Sequence, residues 1–438
     1  MPDPMSVHVR TYQVGFGDCF LLTIAYDDGS EKHVLIDFGS MARPPDAPST
    51  RMMDIAQNIR ERCGGKLTAV VATHRHQDHI SGFKTDSRGR GPGAVIAALD
   101  PDLVVQPWTE HPDLPVDAVA PGIAPGRRAM ALQAVSLAAM QAVSANYVIE
   151  ASRNNAYLRS LGKNLRKELA FIGQDNIANL PAVNNLIAMG HEKGRGEYLH
   201  AGSTTQLAGL LGVEIDVLGP PTVQQSAAIR NQRPRDNSEF WQLAAAAPGA
   251  IDPGSSAKAK PLFPDHVQAR ENGNFPIEAR WLIYRTRAMR GNQMLQIVRM
   301  LDGAMNNTSL ILLFRIGSKS LLFPGDAQIE NWEYAFTQAE WMNRLSEVDL
   351  YKVGHHGSLN ATPKTLWAQF TKKSEDPTAV GRLDTLMSTL EEIHGHAEAD
   401  TEVPRMTLVT ELKKQSNFFT TQSLDGQPFW YDSMLDVR

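Results

Sequence analysis

Cysteine is nearly absent from this 438-residue chain, which carries only Cys19 and Cys63. Two thiols build neither a disulfide framework nor a cysteine-rich zinc module, and they favour a reducing compartment with both thiols buried. The opening Met1-Pro2-Asp3-Pro4-Met5-Ser6 has no basic region and no apolar stretch, so no secretory signal is expected. No apolar run approaches membrane-spanning length; segment 129–143 comes nearest, and Gln133, Ser136 and Gln141 make it a packed helix instead. These absences predict a cytoplasmic protein without membrane contact. A net charge of −5 gives no global case for nucleic-acid binding. With 42% hydrophobic and 21% charged residues the chain can form a large core, and its length predicts two domains or one core with insertions.

What the chain does have is a concentration of metal-ligand side chains. Thr73-His74-Arg75-His76-Gln77-Asp78-His79 follows the apolar, β-branched run 67–72, which reads as a buried strand. Alternation in an extended segment puts His74 and His76 on one side, and the following turn brings Asp78 and His79 to a neighbouring point. One segment thus offers two ligands to each of two ions, and imidazole with carboxylate suits a borderline divalent cation such as zinc. A second apolar strand ends in Pro324-Gly325-Asp326, which makes Asp326 a candidate bridge between two cations. A third, 348–354, runs into His355-His356-Gly357-Ser358, and one of these histidines closes the site. His355 is preferred because it directly follows Gly354 at the strand end, whereas alternation turns His356 the other way.

Along the chain, 7–12, 20–25 and 33–36 read as strands, with a turn at Asp27-Asp28-Gly29, and 52–63 reads as a helix closed by Gly64-Gly65. From 127 to 168 the spacing is helical. A strand returns at 213–218, stopped by Gly219-Pro220-Pro221; 224–292 then reads as a long surface loop, and strands resume at 309–315 and 320–323. After Asp376 the tail predicts a helix near 383–392. No internal repeat is visible.

Gly15-Phe16-Gly17-Asp18, Leu35-Ile36-Asp37-Phe38-Gly39, the motif at 74–79, Asn306-Asn307-Thr308-Ser309-Leu310, Pro324-Gly325-Asp326 and Gly354-His355-His356-Gly357-Ser358 together resemble the metallo-β-lactamase superfamily. More narrowly, they resemble the soluble hydrolase domain of ComEC-like competence proteins. The resemblance covers about 5–100, 206–222 and 301–370. It implies an α/β (α+β) fold, an αββα sandwich with two large insertions. Core halves would occupy 1–100 and 301–375, with a return strand in 206–222, a mainly helical insertion at 101–205, a polar insertion at 223–300 and a C-terminal extension at 376–438. It also implies that His74 and His76 hold a first ion, that Asp78, His79 and His355 hold a second, and that Asp326 bridges them. Asp37 would lie beneath, fixing ligand geometry through hydrogen bonds. Many members add a third histidine to the first ion. The candidates here, His111, His191, His200 and His266, lie in or beside the insertions, and none has the expected strand-end setting. The cofactor expectation is therefore two divalent ions, zinc first, with manganese as the alternative.

Such a site suits hydrolysis. Asp78 can orient a metal-bound hydroxide as well as ligate, and His356 can donate a proton to the leaving group. Asn307 and Ser309 are candidate substrate contacts, against the plainer role of strand capping. His394 and His396 read as part of a solvated C-terminal loop. Residues 151–300 carry 18 Lys plus Arg against 12 Asp plus Glu, a local +6, with Arg280, Arg285, Arg287 and Arg290 interleaved with Trp281 and Tyr284. Arg285 and Arg287 are the candidate contacts to an anionic substrate, nucleic acid or nucleotide. The expectation is a phosphodiesterase or nuclease. A carboxylic ester, lactone or thioester hydrolase is the alternative, and a metal-stabilised interaction protein the third reading. Oligomeric state is not legible.

Overall fold

The computed structural model of the protein describes residues 2–114, 120–121, 179–230, 305–360, 362–393 and 402–438. Two mixed sheets organise them. The first joins β1 (Pro4–Tyr12), β2 (Cys19–Tyr26), β3 (Glu31–Phe38), β4 (Ala69–Val71), β5 (Leu103–Pro107), β6 (Gly196–Leu199) and β13 (Trp430–Asp436) in the order β13-β1-β2-β3-β4-β5-β6. The second joins β7 (Glu214–Gly219), β8 (Ile311–Ile316), β9 (Lys319–Phe323), β10 (Leu350–Lys352), β11 (Asp384–Met387) and β12 (Asn417–Thr420) in the order β12-β11-β10-β9-β8-β7.

Each sheet is antiparallel in one half and parallel in the other. In the first, β13, β1, β2 and β3 alternate in direction, while β3 to β6 run parallel. In the second, β7, β8 and β9 alternate and β9 to β12 run parallel. Parallel neighbours need a crossover that returns the chain to the starting edge. Helices supply it: Arg51–Arg62 between β3 and β4, Ile329–Phe336 and Ala339–Ser346 between β9 and β10, Lys364–Gln369 between β10 and β11, and Met406–Gln415 between β11 and β12. Every parallel strand therefore ends on the same side, where loops β3–α, β4–α, β9–α and β10–α can meet.

Packing follows the alternation of the strands. Val7, Val9, Phe20, Leu22, Val34 and Ile36 of the first sheet share one buried cluster with Leu312, Phe314, Leu321, Phe323, Leu350 and Leu386 of the second. The opposite faces are covered by helices: Leu21, Leu35 and Val70 against Ile55, Ile59 and Leu186, and Leu313, Leu322 and Tyr351 against Trp332, Leu366 and Leu408. Strands buried on both faces read as continuous apolar runs, which is why β2 and β3 carry little polar alternation.

Several expectations change. The helix expected near 383–392 is instead β11, because Leu383-Asp384-Thr385-Leu386-Met387 pairs in parallel with both β10 and β12. The segment expected as a C-terminal extension thus supplies three strands, and β13 closes the far edge of the first sheet against β1. The ends of the expected insertion 101–205 also belong to the first sheet as β5 and β6. The helical reading of 127–168 and nearly all of the loop 224–292 lie outside the described residues. Among the described residues, no helix is long and apolar enough to cross a membrane.

Phe323 stands at the centre of the inter-sheet cluster, with ring centroids 5.8 Å from Phe20 and 5.9 Å from Phe314. Phe323→Ala is expected to lower the free energy of unfolding by about 3–5 kcal/mol, read from urea denaturation, because the two sheets cannot close over the lost ring.

Candidate metal centre

Two glycines let the loops approach closely enough to form the site. A Cβ on Gly39 would lie 2.4 Å from the Asp78 carbonyl carbon, and one on Gly17 would lie 2.6 Å from the Asp78 carbonyl oxygen. With only hydrogen there, the Asp18 amide donates to the Asp78 carbonyl at 2.9 Å and the Gly39 amide to the Asp18 carbonyl at 2.9 Å. The loops after β1 and β3 are thereby tied to the short helix Gln77–Ile80 that presents Asp78 and His79.

Asp37, at the end of β3 with φ of +55°, accepts hydrogen bonds from the Thr73 amide and the Thr73 hydroxyl, both at 2.7 Å. Its Oδ2 also lies 2.7 Å from His79 Nδ1. A carboxylate only accepts, so Nδ1 carries the proton, and His79 Nε2 faces Asp326 Oδ2 at 3.0 Å. His356 is held in the same manner: Nδ1 donates to the Ser388 carbonyl at 2.9 Å, while Nε2 lies 3.1 Å from Asp78 Oδ2 and 3.7 Å from Asp326 Oδ2. Asp78, His79, Asp326 and His356, all buried, bring one ligand atom each to within 4.8 Å of one another. Beside them, His74 Nε2 faces His76 Nδ1 at 3.1 Å, and the His74 and His79 rings are 4.2 Å apart.

The residues fit a divalent cation. Two imidazoles and two carboxylates form a borderline donor set, and Asp78 Oδ1 is buried with no hydrogen-bond partner among the described residues. Burial opposes charge on His79 and His356, but the carboxylates around them prevail and hold both imidazoles above the ordinary range. Burial likewise opposes ionisation of Asp78 and Asp326, and their histidine neighbours still hold both carboxyls well below theirs. His74 goes the other way: burial, then the neighbouring His79 and His76, pushes it down.

Sequence reasoning named every member of this group, with the ligand role given to His355 and a catalytic one to His356, and the structure groups His356 with Asp78, His79 and Asp326. His355 was expected as the ligand, yet its Nε2 stands 3.9 Å from Asp326 Oδ2 and its Nδ1 pairs with Ser358 Oγ at 2.8 Å. The strand had already ended at Lys352, and both histidines adopt left-handed backbone, φ of +42° and +53°, so the alternation rule did not apply. Ser309 and Asn307 are fully buried beside the Asp326 turn. Ser309 Oγ accepts from the Asp326 amide at 3.2 Å, and the Asn307 amide donates to Glu330 at 3.3 Å. His200 directly follows β6, a strand-end setting that was not expected, and its Nδ1 lies 2.9 Å from the Ala201 carbonyl. Arg280, Trp281, Tyr284, Arg285, Arg287, Arg290, His266, His394 and His396 lie outside the described residues.

Two participants were missed. Asp18 and Lys352 form an ion pair that is buried on both sides, and Lys352 Nζ also donates to the Gly325 carbonyl at 3.1 Å and lies 3.7 Å from Asp326 Oδ1. Burial works against the Lys352 charge, and Asp18 and Asp326 outweigh it, holding the ammonium above its ordinary value. The signal was present: Lys352 is the only charged residue between Leu350 and Gly354, in a strand buried at every position. No protein-family model matches this chain, and no curated protein matches it.

Lys352→Met is expected to destabilise the protein by about 3–5 kcal/mol in chemical denaturation, because Asp18 would remain buried without its cation. A second prediction concerns pH. Groups with raised pKa, His79 and His356, contribute stability that is full below about 6.5 and lost as pH rises through their folded values. Metal-stripped protein should therefore melt at lower temperature as pH rises above neutral. Zinc displaces those protons, so the increment in melting temperature on adding zinc should grow over the same range. Melting curves with chelator and with zinc at several pH values check this; an increment that shrinks with rising pH would sink it.

Proposed function

We propose that this protein is a metal-dependent hydrolase of the metallo-β-lactamase superfamily, similar to the ComEC-like hydrolase domains and acting on phosphodiester bonds. The carrying observation is the convergence of Asp78, His79, Asp326 and His356, with the facing nitrogens of His74 and His76 beside it, at the ends of parallel strands from two sheets. Two sheets packed face to face with helices on their outer sides are what the αββα sandwich of that superfamily requires.

In this reading His74 and His76 would hold one ion, and Asp78, His79, Asp326 and His356 would hold the other. Zinc suits the donor set, with manganese as the alternative. Bound ions lower the pKa of water towards neutrality and neutralise charge on ester oxygens. The chain supplies the rest. Asp37 and Ser388 fix the ring orientation of His79 and His356, so that Nε2 of each is directed inward. Asp78 Oδ1, without a hydrogen-bond partner among the described residues, could accept a hydrogen bond from a water at the site. Asn307 and Ser309 steady the Asp326 turn. His355, whose side chain is 24% exposed, has its pKa pushed by burial down to about 4, so in this reading it is neutral near neutral pH and placed to accept a proton, in contrast to the donor role expected of His356. The local excess of 18 basic over 12 acidic residues in 151–300 supports an anionic substrate, with Arg285 and Arg287 as contacts to phosphate.

The test is elemental analysis of protein purified without a histidine tag, together with hydrolysis of bis-nitrophenyl phosphate and labelled single-stranded DNA. Wild type should carry about two ions at the buried centre and cut both substrates. Asp78→Ala and His356→Ala should lose the ions of this buried centre and the activity together. His355→Ala should keep its metal and lose about 10²- to 10⁴-fold in turnover. Hydrolysis of carboxylic esters, lactones or thioesters but not phosphodiesters would redirect the substrate class; absence of metal in a folded protein would overturn the enzyme reading.

A further inference from the structure

A second donor set stands apart from the buried centre and shares no residue with it. His111, Asp113 and His191 bring one ligand atom each to within 4.8 Å of one another. His191 Nε2 lies 3.1 Å from Asp113 Oδ2, and the His111 and His191 rings are 5.5 Å apart at 71°. His111 ends the 3-10 turn Trp108–Glu110 that follows β5, and His191 opens the 3-10 turn His191–Lys193 that precedes β6. Tyr198 of β6 packs against both rings, at 4.5 and 6.2 Å, and its hydroxyl is buried with no hydrogen-bond partner among the described residues. Two segments distant in sequence, the turn carrying His111 and Asp113 and the turn opened by His191, thus present imidazole, carboxylate and imidazole to one point.

We propose that His111, Asp113 and His191 form a second, outer metal site that takes one borderline divalent ion of the zinc type. Two imidazoles and a carboxylate leave a fourth position for water, the composition such an ion accepts. Metal–ligand bonds of 2.0–2.1 Å in a tetrahedron place donors about 3.3 Å apart. The His191–Asp113 separation already meets that, and only His111 has to close in. His111 Nδ1 accepts from the Asp113 amide at 3.1 Å, so binding exchanges one exposed hydrogen bond for a metal bond. Access is open, since the side chains of His191 and Asp113 are 33% and 72% exposed.

Its position gives the outer ion a structural task. Glu110, adjacent to His111, grips Arg75, whose Nε lies 2.9 Å from both carboxylate oxygens. Arg75 sits between His74 and His76, so an ion anchoring the 108–113 turn holds the far end of the buried pair that positions the His74–His76 loop. The site stands whether or not the hydrolase reading does.

The experiment is equilibrium dialysis of the full-length, untagged chain against zinc alone, with elemental analysis and amide hydrogen exchange. Wild type should hold one equivalent more than His191→Ala, whose melting temperature in chelator should match wild type. Asp78→Ala, which addresses the buried centre, should keep the outer equivalent, and zinc should slow exchange in 108–113 and at Arg75 in that variant by several fold. In His191→Ala the slowing should be absent. Equal zinc content in wild type and His191→Ala, or no slowing in Asp78→Ala, would overturn the outer site without touching the buried one; loss of metal confined to Asp78→Ala would do the same.

Discussion

Asp18, Asp37, Asp78 and Asp326 are all buried where the parallel strands of two sheets end, and the arrangement around them is set by how that negative charge is balanced. An ionised carboxylate taken out of water is costly by several kcal/mol even after relaxation, so each must find a cation or a set of donors. Asp18 has the ammonium of Lys352, and Asp37 has His79 with two donors from Thr73. Asp78 and Asp326 face His79 and His356, whose pKa they help to hold above the ordinary imidazole range. A divalent ion entering this group would replace protons on imidazole by a more concentrated charge, so the residues that balance one another without metal are also the ones that could ligate it.

The sheets make that concentration of charge possible. A parallel strand must be re-entered from its starting edge, so all parallel strands of one sheet discharge their loops on one side. Here β3, β4, β9, β10 and β11 each deliver a residue of the group or its support: Asp37, the 74–79 segment, Asp326, His356 and Ser388. The inter-sheet cluster around Phe20, Phe314 and Phe323 holds the two sets of loops in register. Glycine at 17 and 39 then removes the side chains that would keep the loops apart.

Much of this was legible in the order of residues. The apolar runs that became β1 to β4 and β7 to β10 were visible as strands, since tertiary burial on both faces leaves little polar interruption. The tail was not: 383–392 carries Leu383, Leu386, Met387 and Leu390 at helical spacing, and only parallel pairing with β10 and β12 selects the strand. Nor could the strands at the ends of the expected insertion be separated from it, because β5 and β6 are short and joined by a long intervening segment.

Local spacing alone determined that His74, His76, Asp78 and His79 gather at one place, since residues so close in sequence cannot separate. It also marked Asp37 and Asp326 by their position at strand ends. The tertiary structure alone decided that His356, 278 positions from Asp78, sets its Nε2 against Asp78 while His355 pairs its Nδ1 with Ser358. That choice rests on left-handed backbone in a turn, which no strand-alternation rule describes. It decided too that Asp18 meets Lys352, because pairing of buried charges is settled by which chain ends the two sheets bring together and leaves no periodic trace in the sequence.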